Sequence, residues 1–462
     1  MTFSGPVVDP AIGVVESLRP GATLNPSVDD GPSKAAGSRP PIRHSARANY
    51  ANVLLALSDQ ALVSGSNFLT AVILARTAGL SDLGIYSLAL TVTVLLAATQ
   101  EALILLPYTV YASRLSDADQ LKCAGAALIQ QMGLAAIGMV VLAALATIFG
   151  ILSHDRLASE MWILTAAAPF LLLREFGRRM SFANLRLTEA FCLDLCVTVL
   201  LLSSVLLLAV LERLTAATML MSLGAAAALG GCGWLFANRK RFVVEWASVQ
   251  TEMRRNASMG GWSCLSRMTS VAESYTVHWL LAILIGARAT GGFSACMAVV
   301  NLANPFLMGV GAILAPYAAQ AYARDGAIGL KGFMQQANRW LIPPMIVFAA
   351  VLGILGQEIL RFIYGNGMVH DGATIGILAL AMLASTVGMG ADNALRTLQR
   401  TKTNFIASVC ALTASTTIAL VTIGSWSSLG AACGLAAGSS INAAIRCVEV
   451  HRALKRKLQS ES

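Results

Sequence analysis

Several ionisable and amide side chains stand inside long apolar runs of this 462-residue chain, and its chemistry is to be sought there. A charge near the centre of a membrane helix costs roughly 3 kcal/mol on insertion scales, so it faces a cavity or a partner. Between Trp262 and His278 the spacing puts Arg267, Ser270, Ser274 and His278 on one helical stripe. Arg267 either lines a cavity or lies near the interface with its head group snorkelling to water. His278 is either functional or a packing histidine. Glu273 points to another face and is expected to pair within its bundle. Asp59 lies in the first apolar run and Glu101, after Gln100, in the second. Asp59, Glu101 and Glu273 are the candidates for carrying a coupling ion; Glu101 has the alternative of pairing with an arginine such as Arg267. The fourth run ends with Arg174, Glu175, Arg178 and Arg179, the tenth with Asp392, Asn393 and Arg396. If Arg186 and Arg400 correspond, Arg178 and Arg179 stand opposite Asp392 and Asn393, and opposite charges there form a gate. Inside-positive anchoring is the plainer account of the same arginines.

These residues are positioned by a stretch that occurs twice. Gly79, Gly84, Tyr86 and Ser87 are followed by Pro107-Tyr108; Gly286, Gly291, Phe293 and Ser294 are followed by Pro316-Tyr317. The order is kept at an offset of 207 residues at the glycines and 209 at the prolines, which indicates two homologous halves. The offset carries Arg267, Ser270, Ser274 and His278 onto Gln60, Val63, Asn67 and Ala71. The stripe is therefore polar in both halves and cationic only in the second. A duplicated bundle has a natural cavity where its halves meet.

Only 12% of the residues are charged and 56% are hydrophobic, against about 25% charged in soluble domains. Twelve apolar runs of membrane-spanning length follow a proline-rich start. The expected fold is an all-α polytopic membrane protein of about twelve transmembrane helices, in two pseudo-symmetric six-helix bundles around a central cavity. Its divisions are a disordered cytoplasmic tail (1–48), a first bundle (49–237), a cytoplasmic linker (238–259), a second bundle (260–450) and a basic cytoplasmic tail (451–462). Of the Lys and Arg residues from Lys34 onward that lie in the loops or toward the ends of the spans, twenty-six fall on the side of the termini and five on the other. That asymmetry puts both termini in the cytoplasm and accounts for the excess of base without nucleic acid. The nine cysteines are scattered, mostly in apolar runs, and complete no metal-ligand pattern. No nucleophile–base arrangement and no phosphate-cradling Gly-Lys-Ser/Thr loop is present, so neither an enzyme nor an ATPase is expected, and no cofactor.

The chain resembles a Wzx-type polysaccharide flippase of the multidrug/oligosaccharidyl-lipid/polysaccharide exporter (MOP) superfamily. The resembling pieces are Ser64-Gly65-Ser66-Asn67-Phe68-Leu69 with Gly79 to Ser87, Gln100-Glu101-Ala102-Leu103-Ile104, and Leu173 to Arg179. Leu360 to Gly367 adds a fourth. The resemblance implies two bundles rocking about a cationic cavity in the cytoplasmic membrane. It also implies a polyprenyl-pyrophosphate-linked sugar unit as cargo, the bilayer as medium, and the polysaccharide polymerase machinery as a further partner. Arg267, with Arg174, Arg178 and Arg179, would then meet the pyrophosphate, while Gln60, Asn67, Ser270, Ser274 and His278 line the cavity. A drug or cation antiporter of the same superfamily is the nearest rival, since Asp59, Glu101 and Glu273 suit an acidic cavity. A membrane polysaccharide polymerase or ligase is the rival from another class, but it needs a sizeable outer loop, and the loops here are short.

Overall fold

The computed structural model describes residues 46–112, 115–365, 371–398 and 400–461. Of the tail expected over 1–48, residues 1–45 lie outside these, as do Asn366 and Gly367 of the fourth resembling piece. The described chain is helical throughout, in the order α1 (Ala46–Thr77), α2 (Leu80–Gln100), a π-helical turn (Glu101–Leu105), α3 (Leu106–Ala112), α4 (Asp117–Ile151), α5 (Asp155–Ala183), α6 (Leu187–Val210) and α7 (Ala216–Asn238). The second half holds α8 (Trp246–Leu284), α9 (Ala287–Val300), a 3-10 turn (Asn301–Ala303), α10 (Asn304–Tyr364), α11 (Gly372–Thr397), α12 (Thr401–Trp426) and α13 (Ser428–Glu461). α8 thus begins inside the linker expected at 238–259, and α13 runs on through the basic C-terminal stretch.

Helix α10 has 61 residues, which drawn straight would be about 90 Å, three bilayer cores. It is not straight. Asp325 and Gly326 leave helical geometry, Gly326 at φ 58°. Leu307 and Leu314 from before the break share a core with Ala337, Leu341 and Met345 from after it. The chain therefore doubles back at Asp325–Gly326, and α10 supplies two antiparallel limbs.

Ten segments among the described residues are long and apolar enough to cross a membrane. The two remaining crossings, α1 and α8, are the first helices of their halves, and they carry Asp59, Gln60 and Asn67 on α1 and Arg267, Glu273 and His278 on α8. Their polarity faces inward: Asp59, Gln60, Glu273 and His278 are all buried. Pairing repeats between the halves. α1 packs on α6 as α8 packs on α12; α5 lies between α4 and α7 as α11 lies between the second limb of α10 and α13. This is the twelve-helix, two-bundle arrangement, and Phe176 and Phe293, one from each half, are fully buried in one continuous core.

The duplicated stretch turns out to be where the halves touch. Gly79 and Gly286 start α2 and α9 at φ 92° and 118°, backbone that only glycine adopts without strain. One turn on, α2 and α9 cross. A Cβ at Gly84 would stand 1.9 Å from the carbonyl oxygen of Ala287; a Cβ at Gly291 would stand 1.7 Å from that of Leu80. Since 80 and 287 are equivalent positions, the contact is reciprocal. Ser294 Oγ then donates to its own counterpart, Ser87 Oγ, at 2.8 Å. Beside this crossing the Arg76 guanidinium reaches from the end of α1 to the last carbonyls of α10, Phe362 at 2.7 Å and Ile363 at 2.6 Å. Those carbonyls have no partner within their own helix.

Candidate functional site

The cavity that gathers the intramembrane charges is formed by α1, α2, α5, α6 and α7, with α8 reaching in from the second half. Asn67, Glu101, Arg174, Arg179 and Arg267 are on its wall. Its open volume is about 90 Å³ for water centres, room for roughly six to nine waters. The hollow is lined mainly by the first half, and Arg267 and Val271 of α8 reach it from the second.

Behind the wall is an ion network. Asp194 on α6 is completely buried and accepts from Arg174 Nη2 at 2.5 Å and Arg178 Nε at 2.6 Å. Arg178 Nη2 turns the other way, to Asp59 Oδ2 at 2.9 Å and Gln60 Oε1 at 3.4 Å. Arg179 Nε donates to Glu175 Oε1 at 2.8 Å, and its Nη1 to Glu101 Oε1 at 3.3 Å. The other oxygen of Glu101 accepts from Arg267 Nη2 at 3.2 Å. One carboxylate thus ties an arginine of the first half to an arginine of the second, and it stands on the π-helical turn that opens after α2. Such turns accumulate at functional sites. The pairing of Glu101 with Arg267 that the sequence offered as one alternative is present.

Four guanidiniums (Arg174, Arg178, Arg179, Arg267) and four carboxylates (Asp59, Glu101, Glu175, Asp194) make up this set, so it is charge-balanced rather than cationic. The end of α5 is not an anchor for lipid head groups. Arg174 and Arg178 are buried because α1 and α6 present carboxylates to them. For the same reason the gate expected between Arg178–Arg179 and Asp392–Asn393 is not formed here. Asp392 is paired with Arg396 at 3.0 Å and Arg446 at 3.6 Å, and Asn393 donates to Met389 O within α11.

The α8 stripe divides. Arg267 is on the cavity wall. Ser270 meets Ser408 on α12 at 3.2 Å, and Ser274 donates to Ser270 O. His278 is buried with its ring edge-on to Phe293, centroids 4.8 Å apart. None of these three lines the cavity. On α1, Asn67 lines it, whereas Gln60 and Asp59 are behind it on Arg178. Glu273 accepts from Asn442 Nδ2 on α13 at 3.1 Å, inside its own bundle.

Sequence reasoning missed Asp194. Its signal was available: an acid inside the apolar run Leu187–Val210, beyond Glu189 in the first turn, of the same kind that singled out Asp59. Among the described residues the second half has no counterpart of this network. With Arg186 matched to Arg400, Asp194 falls on Ser408 and Arg174 on Gly388, which packs closely against Ala443.

No family model matches the sequence, and no curated protein matches it. Solved structures do match the fold. One is reported as the inward-facing conformation of a multidrug resistance MATE family transporter of the MOP superfamily; it is 14% identical over 89% of this chain and 96% of that one, with a TM-score of 0.64. Another is reported as the outward-facing conformation of such a transporter, at 11% identity, 88% and 96% coverage and TM-score 0.64. A third is a MOP superfamily transporter from Pyrococcus furiosus, reported with a binding pocket of reverse polarity that suggests a different function; it is 11% identical over 87% and 95% of the two chains, TM-score 0.65. At such identities the likeness is one of fold.

Proposed function

We propose that the chain is a membrane transporter of the alternating-access kind, and that its cargo is an amphiphile bearing phosphate, of the class of a lipid-linked oligosaccharide moved to the outer leaflet of the cytoplasmic membrane. The observation that carries this reading is the convergence of Arg179 and Arg267, one from each half, on the single carboxylate of Glu101. Both contacts, at 3.3 and 3.2 Å, are long for charge-assisted hydrogen bonds, which run to about 2.9 Å. Arg267 is 25% exposed, and its Nε has no partner among the described residues. A guanidinium fork matches phosphate oxygens better than a shared carboxylate does. Phosphate entering the cavity would take both arginines from Glu101 and so act on the two halves at once. A hollow with about 90 Å³ open to water centres is small beside an oligosaccharide, so the halves would part to seat the sugar. With the basic loops and both termini in the cytoplasm, cargo would enter from that side and be passed to the polymerase machinery.

A drug or cation antiporter is the second reading, favoured by the balance of four carboxylates against four guanidiniums. A neighbour of the same fold is reported as a multidrug resistance transporter, although another is reported with reversed pocket polarity. Glu101→Gln separates the two by sign. Freed of the carboxylate, Arg179 and Arg267 should bind an anionic cargo about three- to tenfold more tightly, whereas a cationic cargo should bind more weakly. Arg267→Ala should lower transport of an anionic cargo at least tenfold, with Arg267→Lys in between because it keeps the charge and loses the fork. Flux into proteoliposomes reads both. In cells, deletion should abolish surface polymer and leave carrier-bound units on the inner leaflet. Units accumulated outside would point to a polymerase, and intact polymer with drug sensitivity to the antiporter.

A further inference from the structure

A second cavity lies away from the first, where the α3–α4, α5–α6 and α7–α8 connections gather. It has about 80 Å³ open to water centres, room for roughly five to eight waters. Its floor is polar and held in place. Tyr108 Oη and Gln120 Nε2 both donate to Asn184 Oδ1, at 3.3 and 3.2 Å, and Trp234 Nε1 donates to Ser181 Oγ at 3.1 Å.

The mouth carries Arg186 and Arg241, each 42% exposed, on either side of Glu189. Arg241 holds Glu189 with both terminal nitrogens, at 2.9 and 3.1 Å, while Arg186 stays 3.7 Å away. Two guanidiniums share one carboxylate, so the mouth has a surplus of positive charge, and the Arg186 fork is nearly free. The roof is the connection between the halves. Phe242 packs on Trp234 and Phe176, and Val243 N donates to Leu121 O at 3.1 Å. It seats in a notch on α4 that Gly125 leaves open, since a Cβ there would stand 2.1 Å from Val243 O.

Exposed apolar side chains stand close to these arginines in the chain: Leu185 precedes Arg186, and Val243, Val244 and Trp246 follow Arg241 within five residues. A ligand for this place has an anionic head and an apolar body. A soluble anion would use the arginines and leave the apolar rim in water; a nucleic acid would use neither the rim nor so small a hollow. Exposed tryptophan beside arginine is also the composition of a membrane interface. We propose that this cavity binds the phosphate of an anionic membrane lipid, seating the head group between Arg186 and Arg241 with the acyl chains along the apolar rim. Because Phe242 and Val243 form the roof, a seated head group also steadies the connection through which the first half is joined to the second.

The test is thermal unfolding of the purified full chain in neutral detergent, with added phosphatidylglycerol, phosphatidylcholine or inorganic phosphate. Phosphatidylglycerol should raise the midpoint by several degrees, increasingly with concentration, because it binds the folded chain alone. Phosphatidylcholine should do little. Arg186→Gln combined with Arg241→Gln should remove most of the shift, and Tyr108→Phe, which keeps the ring and loses one donor, should remove part of it. If the double variant does not fold, Tyr108→Phe decides. Arg239→Gln combined with Lys240→Gln, basic residues of the same turn outside the cavity, should leave the shift in place. An equal response to phosphatidylcholine, an unchanged response in the double variant or in Tyr108→Phe, or an equal loss in the outside pair would overturn the proposal. A full response to inorganic phosphate would overturn the lipid as ligand and leave a free-anion site.

Discussion

Asp194→Asn is expected to destabilise the chain by about 3–5 kcal/mol, the cost of leaving buried guanidiniums without their counter-charge. Asp194 is completely buried and is the one carboxylate that both Arg174 and Arg178 hold. Arg178 retains Asp59, but Arg174 has Asp194 as its ion-pair partner among the described residues. Asparagine keeps the shape and one acceptor and removes the charge, so the loss reports electrostatics rather than a cavity. Adding Arg174→Met should restore part of the stability, because a buried pair replaced by apolar groups is often neutral where a broken pair is not. The coupling in this cycle should be 0.5 kcal/mol or more, within the range of about 0.5–3 kcal/mol seen for groups in contact. Thermal and denaturant unfolding of the four proteins in detergent measures it. Additive effects, or an Asp194→Asn chain as stable as the original, would remove the network from the account of what holds α1, α5 and α6 together.

Gly84→Ala and Gly291→Ala should each destabilise the seam by a similar amount, and the double variant by less than the sum. Each new Cβ would lie within 2 Å of a carbonyl oxygen on the partner helix. A flexible side chain could turn aside; backbone cannot, so α2 and α9 must move apart. Overpacking typically costs about 1–3 kcal/mol, and the upper end applies where backbone meets backbone. Once one substitution has separated the helices, the second meets a gap already opened, which is why the two should not add. Gly65→Ala is the control. Nothing lies within 4 Å of its Cβ position, so the higher helix propensity of alanine should make it neutral or stabilising by up to about 1 kcal/mol. Equal unfolding midpoints for Gly84→Ala and Gly65→Ala would contradict the close crossing.

The duplication, the helical runs and the halves were legible because each is a one-dimensional pattern: two glycine-aromatic-serine stretches in one order, apolar lengths matched to a bilayer, and basic residues at alternate ends. The pairing of Glu101 with Arg267 was legible too, since intramembrane opposite charges have few alternatives. What could not be read was depth and company. A helical stripe says that Arg267, Ser270, Ser274 and His278 share a face, but that face is wide enough for Arg267 to meet the cavity while Ser270 meets α12 and His278 meets α9. The arginines closing α5 looked like topological anchors, because inside-positive residues and inward-folded residues have the same sequence. Only the carboxylates across from them on α1 and α6 distinguish the two, and those are 119 and 16 residues away from Arg178. The second cavity had no sequence signal, being assembled from three connections that are far apart in the chain.

The α2–α9 crossing has the form of a contact between identical subunits. Position 80 faces 291, position 287 faces 84, and Ser87 meets Ser294 on what would be the two-fold axis. In a symmetric pair a new side chain is always installed twice. Joined in one polypeptide, the copies keep the crossing but escape that restriction. One could gather Asp59, Arg174 and Asp194 while its twin carries Ser266, Gly388 and Ser408 at the matching places. The single chain therefore separates labour: α2 and α9 keep a symmetric crossing, while the buried ion network is gathered in the first half and the second contributes Arg267 to it.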